Sequence, residues 1–232
     1  MFLSKILSII KLTNQYTNLP RKYKINDHAF STYTTDSAYW AGFIAADGCV
    51  YNKTLTFALK STDIQAVEHL KSFLQAENPI YQHKTVHGDK TFYSAGMTVT
   101  STQIVEDLLV NYDIHPHKSL TLKWAQQIPN FVRHAFVRGY FDGDGTIGRH
   151  GKNSSTFRVA FLGTMSFLQT LKSFLNPPRG TILLKEKGKK VYRLQYNGNK
   201  QVRMICEGLY QDSSVTTRLE RKYQRYLELC GG

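Results

Sequence analysis

The sequence predicts an α+β protein made of two copies of one unit, and three observations predict it. An eleven-residue block recurs at fixed spacing. Ala38–Gly48 reads AYWAGFIAADG and Ala135–Gly145 reads AFVRGYFDGDG, each residue 97 positions after its counterpart. Leu70–Leu74 recurs letter for letter as Leu171–Leu175, and an Asn-Pro pair follows each, Asn78-Pro79 and Asn176-Pro177. Strand-like alternation then occupies the same place in both copies. Matches in this order are the mark of an internal repeat.

Each element of the unit has its own reason. A first helix is expected from near Asp36 in one copy and Asn130 in the other, both good N-caps, running to the Asp-Gly pair. A strand hairpin follows. Leu55, Phe57 and Leu59 alternate with Thr54, Thr56, Ala58 and Lys60, and Phe157, Val159 and Phe161 alternate with Thr156, Arg158 and Ala160. Each strand therefore offers one apolar face to helices and leaves one polar, partly basic face free. A helix through Leu-Lys-Ser-Phe-Leu comes next, then a hairpin turning at Gly88 or Gly188, then a helix over Ile104–Leu109 or Val202–Leu209. The expected organisation is a basic arm over residues 1–35, a first unit over 36–110, a linker over 111–130, a second unit over 131–227 and a tail over 228–232.

Composition narrows the partners. The 232 residues carry 30 Lys+Arg against 17 Asp+Glu, a formal charge of +13 spread along the chain. A positive folded surface favours polyanions, nucleic acid foremost. No apolar run approaches the ~18 residues of a membrane span. Cys49, Cys206 and Cys230 lack zinc-site spacing and fit a reducing, intracellular setting, bacterial cytoplasm or an organelle matrix. Residues 1–26 hold no acid, and an organellar transit segment, a DNA-contacting arm and a plain leader all stay open for them.

The repeated helix carries the chemistry. Ala38, Gly42 and Ala46, like Ala135, Gly139 and Gly143, are spaced by four and form a stripe almost without side chains, along which two helices approach backbone to backbone. Each helix then ends in an aspartate, Asp47 or Asp144, where the helix dipole disfavours negative charge. A repeated unfavourable charge implies a use. Two carboxylates at one end, with the free carbonyls of Ala46 and Gly143, make a hard oxygen site suited to Mg²⁺, with Mn²⁺ or Ca²⁺ as alternative occupants.

At Trp40–Gly48 and Val137–Gly145 the sequence resembles the LAGLIDADG, or dodecapeptide, homing endonucleases of the monomeric two-motif type. The resemblance spans roughly residues 36–227 and implies two αββαββα units packed through the motif helices, with antiparallel sheets forming a DNA-binding saddle. It implies that Asp47 and Asp144 are the metal-binding acids and that a basic residue serves each half, carried here by Lys118 and Lys222. Ala45 and Arg138 depart from the motif, and a less regular helix contact is expected around Arg138. The implied activity is site-specific, metal-dependent hydrolysis of both strands of a long, pseudo-palindromic duplex target. Candidate DNA readers on the free strand faces are Thr54, Thr56, Lys60, Gln82 and Lys84, and Arg158, Lys185, Arg193 and Gln195. An RNA-splicing maturase bound to its host intron RNA and a catalytically silent DNA-binding regulator are the rival readings of the same fold. Gly143–Gly145 lie at a helix end rather than a helix start, which argues against a dinucleotide cradle. His83, His87, His115, His117 and His150 have no metal-ligand spacing and read as surface or loop residues.

Overall fold

The computed structural model describes residues 21–151, 154–177, 181–185 and 191–231. Helix α1 spans Thr35–Asp47, strands β1 and β2 span Cys49–Tyr51 and Thr54–Lys60, and α2 spans Ile64–Phe73. Strands β3 (Tyr81–His87) and β4 (Lys90–Thr100) and helix α3 (Thr102–Tyr112) complete the first unit. The second repeats it with α4 (Arg133–Asp144), β5 (Gly145–Arg149), β6 (Phe157–Gly163), α5 (Met165–Leu175), β7 (Thr181–Lys185), β8 (Tyr192–Asn197) and α6 (Asn199–Tyr210). Helix α7, Glu220–Gly231, follows. Both sheets are antiparallel, in the matching orders β1-β2-β4-β3 and β5-β6-β8-β7. The predicted α+β architecture of two pseudo-symmetric αββαββα units is therefore the observed one. Among the described residues no helix is long and apolar enough to cross a membrane.

Helix α1 is buried along almost its whole length, from Ser37 to Ala45, as expected of a helix at the centre of a fold. Thr34, not Asp36, caps it. The Thr34 hydroxyl accepts from Ser37 N at 3.0 Å while the Ser37 hydroxyl accepts from Thr34 N at 2.9 Å, a reciprocal capping box. Asp36 sits in the first turn, where its charge suits the dipole. Asn130 likewise opens a short 3-10 turn, Asn130–Val132, rather than capping α4. The first unit's second hairpin turns at Gly88, whose φ of +56° is the left-handed conformation glycine tolerates; the turn expected at Gly188 lies outside the described residues.

Helices α1 and α4 touch through their backbones. A Cβ added to Gly42 would lie 2.0 Å from the Phe136 carbonyl oxygen, and one added to Gly139 would lie 1.9 Å from that of Tyr39. These contacts are reciprocal, since Phe136 and Gly139 are the repeat partners of Tyr39 and Gly42. Arg138 does not disturb them. Its guanidinium turns aside, donating from Nη1 to Leu209 O at 2.7 Å and from Nε to Thr217 O at 2.8 Å. The irregularity expected there is absent because the side chain reaches past the glycine contact, its guanidinium lying over the Tyr39 ring of α1 at 5.5 Å.

Two segments read as peripheral belong to the core. In the arm, Phe30 is fully buried and meets the rings of Phe73 and Tyr112, and Asn26 N donates to Leu74 O at 2.9 Å. In the linker, Leu122, Trp124, Ala125 and Ile128 are buried, and Trp124 packs on Phe136, Phe167 and Phe174. Isolated aromatics in short non-periodic stretches carry no helix or strand signature, although each of these buries a large apolar surface.

Substitution by alanine is expected to have opposite signs at two kinds of glycine. Gly42→Ala or Gly139→Ala forces the helix backbones apart and should cost about 3 kcal/mol or more, the upper range of overpacking. Gly208→Ala, inside α6, places its Cβ no closer than 3.9 Å to any neighbour and should gain about 0.5–1 kcal/mol. Urea unfolding midpoints of the three variants check this.

Candidate active site and nucleic-acid interface

Both motif helices end at the same place. Asp47 and Asp144 are the last residues of α1 and α4, and Gly48 and Gly145 turn the chain into β1 and β5. The Asp47 carboxylate lies against Gly143, with Oδ2 3.2 Å from where a Cβ would stand, so a larger residue at 143 would crowd it. Asp47 opens to solvent and Asp144 is half-buried, although protein crowds both. Burial is the main reason that each is harder to ionise than an ordinary aspartate. For Asp144 the Asp47 charge adds to burial, and the group is pushed up to about 6. Lys222 and Lys118 oppose the shift at both acids.

The two lysines occupy matched stations. Lys118 Nζ donates to Gly48 O and Lys222 Nζ donates to Gly145 O at 2.6 Å, carbonyls related by the repeat. Lys222 also reaches Phe141 O at 2.6 Å, Asp142 O at 2.7 Å and Gly143 O at 3.3 Å, carbonyls of the last turn of α4, of which Phe141 O also accepts from Gly145 N. Both are nearly sealed from solvent, and burial makes both easier to deprotonate, Lys222 falling to about 8. A cavity of ≈ 230 Å³ opens between the halves, lined by Ala45, Ala46, Lys118, Tyr140, Asp144 and Thr164 among others. Among the described residues no cluster of three or more His, Cys, Asp or Glu side chains forms a metal site, and of the main-chain carbonyls beside the two carboxylates, Gly143 O already accepts from Lys222.

Strand register fixes which side chains share the free sheet face, because directly paired residues point the same way. In the first sheet Thr54 and Thr56 share a face with Thr98, Thr100 and Tyr51, and the Thr56 and Thr98 hydroxyls bond at 3.1 Å. Lys60 pairs with Ser94, and Ser94 with His83, which extends that face into β3. Gln82 pairs with Ala95 and Lys84 with Tyr93, on the opposite face. Both are exposed there, although they do not share the face of Thr54 and Thr56. The β3–β4 residues on the free face are Tyr81, His83, Thr85, His87, Lys90 and Phe92. In the second sheet Arg158, Arg193 and Gln195 do share the free face and line a groove of ≈ 210 Å³ with Thr146, Gly148 and Ala160. Lys185 pairs through its backbone with Tyr192, and its side chain lies outside the described residues.

Paired helix ends beneath two sheets that each keep an open face define the class: the chain has the LAGLIDADG homing endonuclease fold. It resembles the meganuclease I-SmaMI bound to uncleavable DNA with a TTCT central four, at 14% identity and a TM-score of 0.56 over 83% of this chain and 89% of that one. A mutant of I-SmaMI matches at 13% identity and 0.58, covering 86% and 90%. The I-LtrWI LAGLIDADG homing endonuclease bound to target DNA matches at 11% and 0.56, covering 84% and 90%. No protein-family model and no curated protein sequence matches the chain.

The raised acid has a measurable sign. Asp144 holds its proton more tightly folded than unfolded, so between its ordinary value of 3.8 and about 6 the folded state binds more protons. Stability from this group is then present below pH 4 and lost as pH rises through 6. In chelator, Asp144→Asn should remove that decline, so its melting temperature gains on wild type across this window. Melting curves from pH 4 to 7 check it.

Proposed function

We propose that this chain is a site-specific endonuclease that hydrolyses both strands of a long duplex DNA target with divalent metal ions. The observation that carries the reading is the double coincidence at the helix ends: two acids side by side, and two buried lysines on repeat-related carbonyls. The residues fit a hard cation. The acids are crowded by protein and mutually repelling, the lysine ammonium groups are taken up by carbonyls, and the remaining donors are oxygens.

Asp47 and Asp144, with the carbonyls of Ala46 and Gly143, would hold Mg²⁺, with Mn²⁺ or Ca²⁺ able to take the same oxygens. When bound, the ion supplies activation of water and neutralisation of the phosphoryl and leaving oxygens. In each strand the water oxygen bonds to phosphorus and the bond to the 3′-oxygen breaks, leaving a 3′-hydroxyl and a 5′-phosphate. Lys118 and Lys222 hold one positive charge in each half, beside the acids, where charge develops. Thr54, Thr56 and Lys60, with Tyr81 and His83, would contact one half-site; Arg158, Arg193 and Gln195 would contact the other. Because the two faces differ in sequence, the target departs from a true palindrome. One chain supplies both halves, so the protein acts as a monomer.

Duplexes cleaved from a randomised library in Mg²⁺ give the substrate on which to test this. Asp47→Asn and Asp144→Asn are each expected to slow cleavage by about a thousand-fold or more, the scale of several kcal/mol of metal-assisted charge stabilisation. Duplex binding in Ca²⁺ should persist. A fully active variant overturns the assignment.

Binding should also weaken steeply with salt. With about six phosphates neutralised, the slope of log affinity against log salt is expected near −5. Filter binding between 50 and 200 mM salt measures it, and a flat dependence argues against the saddle as the binding surface.

A further inference from the structure

The two lysine stations are matched, but the means of holding them are not. Each lysine sits in a segment that leaves its own unit and packs near the motif helices. The Lys118 segment runs on into the buried Leu122–Ile128 stretch, and Thr164 of the second unit donates to Leu122 O at 2.6 Å. The Lys222 segment is fixed instead by two charged side chains of α4 itself, together with the ion pair from Arg221 Nε to Asp63 Oδ2 at 3.0 Å. Arg138, 1% exposed, holds the segment at Thr217 O and ties it to the end of α6 at Leu209 O. Asp142, also 1% exposed, accepts from Leu219 N at 2.7 Å, one residue before α7 begins, as well as from Tyr39 Oη at 2.9 Å and Tyr210 Oη at 3.3 Å. The repeat partners of Arg138 and Asp142 in α1 are Ala41 and Ala45, which make no side-chain hydrogen bond.

We propose that Arg138 and Asp142 are positioning residues for Lys222 alone, so that removing either converts the protein from a double-strand cutter into a nicking enzyme. This rests on the endonuclease reading above. The geometry supports the selectivity. Leu219 O accepts from Lys222 N at 2.9 Å, so the Asp142 carboxylate fixes the turn from which Lys222 projects. A carboxylate at this helix N-terminus also suits the dipole. Among the described residues no hydrogen bond connects either residue to the Lys118 segment, which reaches its carbonyl from a different place with different anchors. Arg138 and Asp142 are also the two charged residues that the second motif copy carries where the first has alanine, so the asymmetry is written in the repeat itself.

The experiment uses a cleavable duplex with each strand labelled separately. Lys222→Met marks the strand served by Lys222, and Lys118→Met marks the other. Asp142→Ala, which installs the first unit's own residue, is expected to slow the Lys222 strand at least ten-fold more than the other. Asp142→Asn keeps the volume and one acceptor and should give a smaller imbalance of the same sign. Arg138→Ala should favour the same strand, and Asp142→Ala added to Lys222→Met should slow that strand no further. Equal slowing of both strands, or an unchanged ratio, overturns the assignment. So does loss of cooperative melting in both Asp142 variants, which would make the carboxylate a structural group only. Wild-type protein that cuts neither strand overturns the endonuclease reading beneath it, a result distinct from balanced cutting by the variants.

Discussion

Everything else in this structure depends on two peptide backbones being allowed to touch. Where α1 crosses α4, Gly42 and Gly139 leave no space for even a methyl group, and each faces a carbonyl oxygen of the other helix. That approach sets the separation of the helix ends, and through it the separation of the two acids. Pseudo-twofold symmetry follows from the same contact, because it is reciprocal residue for residue. Glycine inside a helix sacrifices about 1 kcal/mol against alanine, and the gain is a helix spacing that no larger residue permits.

The charges at that junction are arranged against their own preferences. Two carboxylates stand at helix ends that already carry partial negative charge, and burial makes both reluctant to ionise. Two ammonium groups are withdrawn from water and satisfied by main-chain carbonyls rather than by direct ion pairs with the acids. A site of this kind is poor at stabilising the fold by itself, and such perturbed charges are commonest where proteins bind ligands.

Much of this was legible in the sequence, for reasons that have limits. The 97-residue offset exposed the duplication, and the small-residue stripe with its terminal aspartates exposed the helix contact, because both are local patterns with fixed periods. Lys118 and Lys222 came from the resemblance rather than from a pattern, since a lysine that satisfies helix-end carbonyls looks in sequence like any surface lysine. Gln82 and Lys84 are exposed on β3 but lie on the other face from Thr54 and Thr56. Alternation gives a strand two faces but not which one points outward. That choice is made by the register against β4, through a turn at Gly88 whose length sets the parity. Phe30 and Trp124 escaped notice because single aromatics in loops have no period. The pairing of Arg138 and Asp142 with residues 209–219 joins positions some seventy or more apart, which no local rule reaches.

The buried joint between the units has a consequence for recombination. Trp124 packs on Phe136, Phe167 and Phe174 of the second half, and Leu122 O accepts from Thr164 there, although both precede its motif helix. A chimaera that exchanged halves with a cut just before α4 would strip the receiving half of an aromatic plug and of the partner for Thr164. A cut made earlier, near the left-handed residue Asp113 that closes α3, keeps that plug with the second half, although it also carries Lys118 away from Gly48 O. A graft made there carries its own packing with it, and the interchangeable part of this molecule is longer than the repeat that reveals it.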